Sequence, residues 1–284
     1  MTGPQVPLAA GRRHSLVVVD GGRVLAAGPP GAGECAVTGW SDIVAVAAGN
    51  VHAARNTGRS HSVGLRADGT VLAVGWNAHG QCDVTDWSQV VGFAAGWRRT
   101  LGVRADGTVL AAGRRDDGAC DVGGGWSGIV AVSAGDWHSV GLRSDGTVVA
   151  TGMNTRGQGD VTGWSDVVGI AAGYLHTLGV REDGTVLACG DTAAGPAGAR
   201  RWRGVAAVAA GSYHSLGLTQ DGRVLAAGDD GHGQCGTQTW RDVVAIAAGS
   251  THSLGLRSDG VILAAGNNAD GQCHWALSAP GQYN

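Results

Sequence analysis

The sequence contains no lysine, and all 20 of its basic residues are arginine. A phosphate-binding P-loop and a kinase-type ATP site both require a lysine, so the glycine-rich stretch GPPGAGE at 28–34 is not a nucleotide site. Schiff-base chemistry on a lysine amine is excluded for the same reason. The net charge of −3 gives no general attraction to nucleic acid, and no nucleic-acid partner is expected.

Long apolar runs are also missing. No window approaches the roughly 18 uninterrupted apolar residues that a membrane span needs, so no membrane association is expected. The first residues, MTGPQVPLAAG, lack a basic segment followed by an apolar run, which argues against a signal peptide. The cytoplasm is therefore the expected location.

The six cysteines show no CxxC motif and no His/Cys pair at zinc spacing, so neither a metal nor another cofactor is expected. Five of them occupy one slot of an internal repeat, and a disulfide needs Cα atoms within about 7 Å, closer than equivalent repeat positions lie. We therefore predict small, buried, free thiols. The slot cysteines are Cys35, Cys82, Cys120, Cys235 and Cys273.

Glycine, by contrast, is abundant: 52 of 284 residues, in a chain that is 43% hydrophobic. The glycines do not recur at every third position, which excludes collagen, and the apolar content argues against disorder. Dense glycine with many Val, Leu and Ala residues is typical of short strands joined by tight turns.

One unit recurs seven times along the chain, approximately WSDVVAIAAGxxHSLGLRxDGTVLAAGxNxxGQCxV. Successive units are 38 or 39 residues apart, except for the second interval, which is 47. We anchor each unit at the glycine that ends the AAG or SAG triplet. The anchors are Gly11, Gly49, Gly96, Gly135, Gly173, Gly211 and Gly249.

Each unit predicts four strands. An apolar strand ends at the anchor, HSLGLR alternates, an Asp-Gly pair marks a hairpin turn, and TVLAAG and a short CDV segment follow. Seven such units predict an all-β, seven-bladed β-propeller over residues 1–284, in a single domain. The first strand is expected to close the ring by completing the blade that the last repeat begins, which hides sheet edges.

The units AAGSTHSLGLRSDG and GNNADGQC resemble the repeat of the regulator of chromosome condensation (RCC1) family, over essentially the whole chain. The resemblance implies a seven-bladed propeller and is that of a bacterial single-domain member. Founding members promote nucleotide exchange on a small GTPase and bind chromatin, but basic tails and an exchange wedge have no counterpart here. A bacterial relative inhibits β-lactamase through aromatics in the turns that hold Trp97, Trp137, Tyr174 and Tyr213.

Residues repeated in one slot are interpreted as structural, because packing rather than chemistry explains their recurrence. A tryptophan fills the link before the first strand in repeats 2 to 7, and a histidine precedes or starts the second strand in six repeats. The histidines are His14, His61, His138, His176, His214 and His252.

The turns before the second strand and the loops after the third strand differ between repeats, and strand direction places both on one face. The first three repeats supply many arginines there, and the long interval adds an insertion near residues 50–61. Arg and Trp are the residues that most often dominate binding interfaces. The candidate binding residues are Arg12, Arg13, Arg55, Arg59, Trp76, Trp97, Arg98, Arg99, Arg114, Arg115, Trp137, Tyr174 and Tyr213.

Two functions fit this face. In the first, a monomeric binding propeller holds an acidic protein surface or an anionic aromatic small molecule, because arginine presents a planar fork to carboxylates and phosphates. In the second, the same face is an enzyme site of lyase, cyclase or isomerase type, possibly in bacterial specialised metabolism, with His52 and His61 as acid and base. For Arg99, which replaces a slot histidine, pairing with an acid such as Asp116 or Asp136 is the alternative to ligand binding.

Overall fold

The computed structural model describes residues 7–50, 59–191 and 196–275. The described chain is almost entirely β-structure and forms seven antiparallel sheets of three strands each, one for each sequence repeat. In every sheet the strands pair in chain order, so each repeat folds as a local meander. This confirms the all-β propeller class and the seven-fold repetition that the sequence predicts.

The strands follow the repeat closely. The sheets are β1 Leu8–Ala10, β2 Ser15–Val19 and β3 Arg23–Ala27; β4 Ile43–Ala48, β5 His61–Arg66 and β6 Val71–Gly75; β7 Val90–Ala95, β8 Arg99–Arg104 and β9 Val109–Gly113; β10 Ile129–Ala134, β11 His138–Arg143 and β12 Val148–Gly152; β13 Val167–Ala172, β14 His176–Arg181 and β15 Val186–Gly190; β16 Val205–Ala210, β17 His214–Thr219 and β18 Val224–Gly228; and β19 Val243–Ala248, β20 His252–Arg257 and β21 Ile262–Gly266.

The Asp-Gly pairs form the hairpin turns between second and third strands, as predicted. In the second sheet, Gly69 has a φ of 81°, which L-residues with a side chain rarely adopt. The Asp68 carboxylate accepts a hydrogen bond of 2.9 Å from the backbone N–H of Thr70 and so fixes the turn.

The predicted fourth strand is not formed in the described residues, and each sheet has three strands. Where CDV was expected to extend, the backbone turns: the N–H of Val84 bonds the carbonyl of Cys82 at 2.9 Å, and the N–H of Trp87 bonds the carbonyl of Val84 at 3.0 Å. These local bonds use the backbone groups that a sheet ladder needs. The Val84 side chain is still fully buried, so the segment packs on the core without joining the sheet.

All seven first strands line one central cavity of about 220 Å³. The anchor glycines end these strands and lie against one another. A Cβ on Gly96 would collide with the carbonyl oxygen of Gly135, and one on Gly135 with that of Gly173. The repeated glycine is therefore explained by close backbone approach around the axis.

The N-terminal strand β1 pairs with β2 and belongs to the first sheet, not to the sheet of the last repeat as predicted. It also contacts β4 on one side and β19 on the other. The backbone N–H of Ser250 donates to the carbonyl of Gly11 at 3.1 Å, which links the last and first repeats.

The slot histidines connect neighbouring sheets. The His61 ring Nε2 lies 2.9 Å from Thr100 Oγ1, and Thr100 in turn donates to the carbonyl of Gln81 at 2.7 Å. Because the hydroxyl hydrogen is used on that carbonyl, His61 must donate from Nε2 and is the neutral Nε2–H tautomer. Five more His–Ser/Thr pairs repeat this link: His14–Ser62, His138–Thr177, His176–Ser215, His214–Ser253 and His252–Ser15.

The slot tryptophans pack on the glycine in the middle of the second strand in six of the seven sheets. A Cβ on Gly64 would collide with the ring of Trp40, and one on Gly102 with the ring of Trp87. The tryptophan ring can pack there only because the strand residue is glycine, which supports the structural interpretation of this slot.

Helical structure in the described residues is limited to α1 (Pro196–Ala199) and two 3-10 turns, Asp20–Gly22 and Gly33–Cys35. None of these helices has the length and apolar character that crossing a membrane requires. All six cysteines are free, and burial raises the pKa of Cys35 to about 11.

Candidate functional site

The turn before each second strand and the loop after each third strand lie at the same edge of the sheet. The N–H of Trp76 bonds the carbonyl of Ser60 at 2.8 Å, and the N–H of Arg114 bonds that of Arg98 at 2.9 Å. We call the surface formed by these turns and loops the variable face. The sequence predicts this juxtaposition from strand direction alone.

Five predicted binding residues from repeats 2 to 4 come together on the variable face, and we call them the Arg–Trp patch: Trp76, Trp97, Arg98, Arg114 and Trp137. The Arg98 guanidinium lies 3.6 Å from the centroid of the Trp97 ring and 5.6 Å from that of Trp76. Trp97 and Trp137 meet edge to face with centroids 4.8 Å apart, and the Arg114 guanidinium lies 5.7 Å from the Trp137 ring. Each cation lies within the distance at which a ring attracts it.

Arg98 has no hydrogen bond or ion pair with any residue that the structure describes, and its Nε atom is buried. Partial burial and the neighbouring Arg114 lower the pKa of Arg98. Arg114 is different, because it pairs with Asp116 and that hydrogen bond raises its pKa. Arg98 is therefore the patch cation whose charge is left for another molecule.

Arg99 lies in the interior and is not on the variable face. Its side chain is fully buried, and its Nη2 atom donates to a carboxylate oxygen of Asp117 at 3.1 Å. The same guanidinium donates to the carbonyls of Gly135, Asp136 and His138 at 2.9, 3.0 and 3.2 Å. Arg99 therefore pairs within the protein and does not face a ligand on the variable face. Its carboxylate partner is Asp117, and Asp136 contributes only its backbone carbonyl. Arg99 is therefore not part of the Arg–Trp patch.

Tyr174 and Tyr213 continue the aromatic row beyond Trp137. Their ring centroids are 5.3 Å apart in an edge-to-face contact. Tyr174 is hydrogen bonded to both Trp137 and Tyr213. Burial, together with the negative charges of Asp191 and Asp136, raises the pKa of Tyr213 to about 12, so its hydroxyl stays protonated.

The remaining predicted arginines are more scattered. Arg13 binds Asp270 through Nε at 2.8 Å, which joins the first and last repeats. Arg115 and Arg59 are exposed. Arg12 is partly buried, and its pKa is lowered by burial and by Arg13. Arg55 falls outside the described residues.

Of the two histidines of the enzyme hypothesis, only His61 lies within the described residues. His61 is fully buried in the link to Thr100, and burial lowers its pKa to about 4. A histidine in that environment has no access to a substrate proton on the variable face. His52 lies outside the described residues.

Sequence reasoning missed one constellation, formed by the residue that follows each anchor glycine. Because the anchors meet around the axis, these residues follow one another around it, and Asn50 among them lines the central cavity. We call the set the axial ring. Its members are Arg12, Asn50, Trp97, Asp136, Tyr174, Ser212 and Ser250. The available signal was their position: each occupies the first variable slot after an invariant glycine of the repeat.

The fold and site together define the class of protein: a β-propeller of seven repeats with one variable face. The sequence profile of the regulator of chromosome condensation (RCC1) repeat matches residues 56–81, 129–158, 167–195, 205–234 and 243–272, just over half of the chain. The protein therefore belongs to the RCC1 repeat family. No curated protein sequence matches the chain.

Solved structures agree on the fold. Human WBSCR16 is 18% identical with a TM-score of 0.70, and the match covers 91% of this chain and 88% of that one. Prp20p from Saccharomyces cerevisiae, described with its binding properties to Gsp1p and histones, is 18% identical with a TM-score of 0.65 over 94% and 83%. The ectodomain of the Arabidopsis thaliana receptor kinase ACR4 is 20% identical with a TM-score of 0.63 over 78% and 84%.

Proposed function

We propose that this protein is a binding propeller whose Arg–Trp patch holds an acidic segment of another protein. The single observation that carries the proposal is Arg98, a cation stacked on Trp97 and near Trp76 that forms no direct ion pair within the described chain, although Asp116 and Asp117 lie close enough to attract it. An arginine stacked on aromatic rings keeps its N–H edge free for a carboxylate. Its side chain is also held in place before binding, which reduces the entropy lost on association.

The surroundings of Arg98 support a protein partner over a small molecule. The patch continues through Trp137 into Tyr174 and Tyr213, so aromatic side chains from four repeats form one row. Trp, Tyr and Arg are the residues most enriched at the energetic centres of protein interfaces. Among proteins of similar fold, the yeast RCC1 Prp20 is seen bound to Kap60, which supports this use of the scaffold.

The Arg98→Ala variant is expected to bind acidic peptides about 10- to 100-fold more weakly than the wild type, since a hydrogen bond to a charged group contributes about 1.5–3 kcal/mol. The measurement is fluorescence anisotropy with a labelled oligoglutamate peptide. Arg223→Ala is the matched control, because Arg223 is an exposed arginine beside the Asp221 turn at the opposite edge. Equal affinity of Arg98→Ala and wild type, or no saturable binding by the wild type, would contradict the proposal.

We further propose that residues 1–284 form one monomeric domain closed by β1. The contacts of β1 with both β4 and β19 support closure, and so does the bond from Ser250 to Gly11. Six free thiols fit a reducing compartment such as the cytoplasm. A fourth strand in each blade, which the repeat suggests, finds no support in the described residues.

If β1 closes the ring, Leu8→Ala should destabilise the fold by about 2–4 kcal/mol, because it opens a cavity between the first and last repeats. Leu8 is 1% exposed and packs with Ala247 and Leu254. Urea unfolding checks the effect. Leu25→Ala is the control, because Leu25 lies on the outer strand of the same sheet and is 38% exposed. Equal losses in the two variants would argue against closure.

A further inference from the structure

The axial ring holds several buried polar atoms that the protein does not use. The side chains of Asn50 and Trp97 are 7% and 8% exposed, yet Asn50 Nδ2 and Trp97 Nε1 have no hydrogen-bond partner among the described residues. Arg12 Nη1 is likewise buried and unpartnered. A buried donor without a partner costs about 1–3 kcal/mol, so three together are strong grounds for a missing acceptor.

These three donors belong to repeats 1, 2 and 3 and are therefore consecutive around the ring. Asn50 is held in place by the Ser250 hydroxyl, which donates to its Oδ1 at 2.7 Å from a repeat that is not its neighbour. This bond leaves only the Nδ2 side of the Asn50 amide for a ligand. The donors therefore form one arc at the mouth of the cavity.

Below the mouth, the side chains that line the central cavity are mainly apolar, while Asn50, Ser133 and the backbones of the first strands add polar surface. Asn50 is among its lining residues, and nearly all the others are Ala, Val, Ile, Leu or Phe side chains of the first strands. At about 30 Å³ for each water-sized group, a cavity of about 220 Å³ holds roughly seven heavy atoms. A ligand that satisfies both regions has an acceptor at one end and a compact apolar body.

The charges near Arg12 are compatible with an anionic head group. Arg13 and Asp270 bind one another, and burial raises the pKa of Glu34, which also lies near Arg12. Asp136 on the axial ring attracts Arg12 but contributes no donor to the arc. The guanidinium of Arg12 thus offers a buried N–H and a positive charge at the same place.

We propose that the axial ring is a binding site for a small monocarboxylate with an apolar body, such as an aromatic or medium-chain acid. The carboxylate accepts from Arg12, Asn50 and Trp97, and the apolar body enters the central cavity. This site shares Trp97 with the Arg–Trp patch, because Arg98 stacks on the Trp97 ring, whereas Arg12 and Asn50 belong to the arc alone.

Calorimetric titration with benzoate and with octanoate tests the site, and benzamide serves as the neutral isostere of benzoate. At least one acid is expected to bind with a Kd of about 1 mM or tighter, as suits a ligand of this size. Benzamide should bind about tenfold more weakly, since it lacks the charge that Arg12 recognises. No saturable binding of either acid, or equal binding of benzoate and benzamide, would overturn the proposal.

Two conservative variants assign the binding to the arc. Arg12→Met keeps the length of the side chain without its charge, and Trp97→Phe removes the Nε1–H while keeping an aromatic ring. Each should weaken the acid about tenfold while the thermal midpoint stays close to that of the wild type. Arg12→Met should leave the affinity for the oligoglutamate peptide unchanged, which separates this site from the acidic-peptide surface. Unchanged affinity in both arc variants would show that the acid binds elsewhere.

Discussion

Lowering the pH from 7 to 5 is expected to remove about 10 kcal/mol of folding free energy and to unfold the protein. Burial lowers the pKa of the six slot histidines to about 3 for His14, His138, His176 and His252 and about 4 for His61 and His214, against 6.5 for an unperturbed histidine. In this pH range the unfolded chain takes up protons that the folded chain cannot accept. Each histidine then contributes about 2 kcal/mol to the loss, and total stabilities are about 5–15 kcal/mol.

The sign follows from the direction of the pKa shifts. A histidine that is neutral in the folded state contributes its full stabilisation above the unfolded pKa of 6.5. That contribution is lost as the pH falls toward the folded values of about 3 to 4. The hydrogen bonds give the structural reason: Nε2–H is already donated to a Ser or Thr oxygen, and a second proton on the buried Nδ1 would have no acceptor among the described residues.

Urea unfolding at a series of pH values measures this effect as the slope of the unfolding free energy against pH. The His252→Gln variant keeps a donor for Ser15 and should lower the proton uptake on unfolding by about one. The exposed His232→Gln is the matched control and should keep the wild-type slope. A wild-type protein that stays equally stable from pH 7 to 5 would show that the slot histidines are not buried in the neutral form.

Replacing Arg99 by Ala is expected to destabilise the protein by about 3–5 kcal/mol. The substitution leaves Asp117, whose side chain is 5% exposed, as a buried charge without its partner. It also removes the donor to three carbonyls of the fourth repeat. Arg98→Ala, one residue away, should cost about 1 kcal/mol or less, because Arg98 has no hydrogen bond to lose within the described chain.

A second variant tests the role of Arg99 by restoring the residues that most repeats have at these two positions. Ala119 stands where four other repeats have glutamine, so Arg99→His with Ala119→Gln rebuilds the ordinary slot in which a histidine faces Ser139. This double variant should recover more than half of the stability that Arg99→Ala loses, as measured by urea unfolding. If Arg99→Ala unfolds at the same urea concentration as the wild type, the buried pair contributes nothing to the fold.

The sequence alone determined the features that depend on local pattern. The interval between anchors predicted the seven repeats, the Asp-Gly pairs predicted the hairpin turns, and strand direction placed the patch residues on one face. The recurrence of histidine and tryptophan in fixed slots also identified them as structural, because a position repeated around a ring serves packing between repeats. For Arg99 the sequence left two outcomes open, ligand binding and pairing within the protein, and it favoured ligand binding.

Only the tertiary structure decided which polar groups meet. Arg98 and Arg99 are adjacent in sequence, but successive side chains at a strand start point to opposite sides, so one stacks on Trp97 and the other enters the fourth repeat. The CDV segment has strand composition, yet its backbone turns locally, because its carbonyls bond N–H groups two and three residues ahead. Asn50 and Ser250 are 200 residues apart and bond across the axis. No local pattern encodes that contact, because the two side chains come from repeats that are far apart in the sequence.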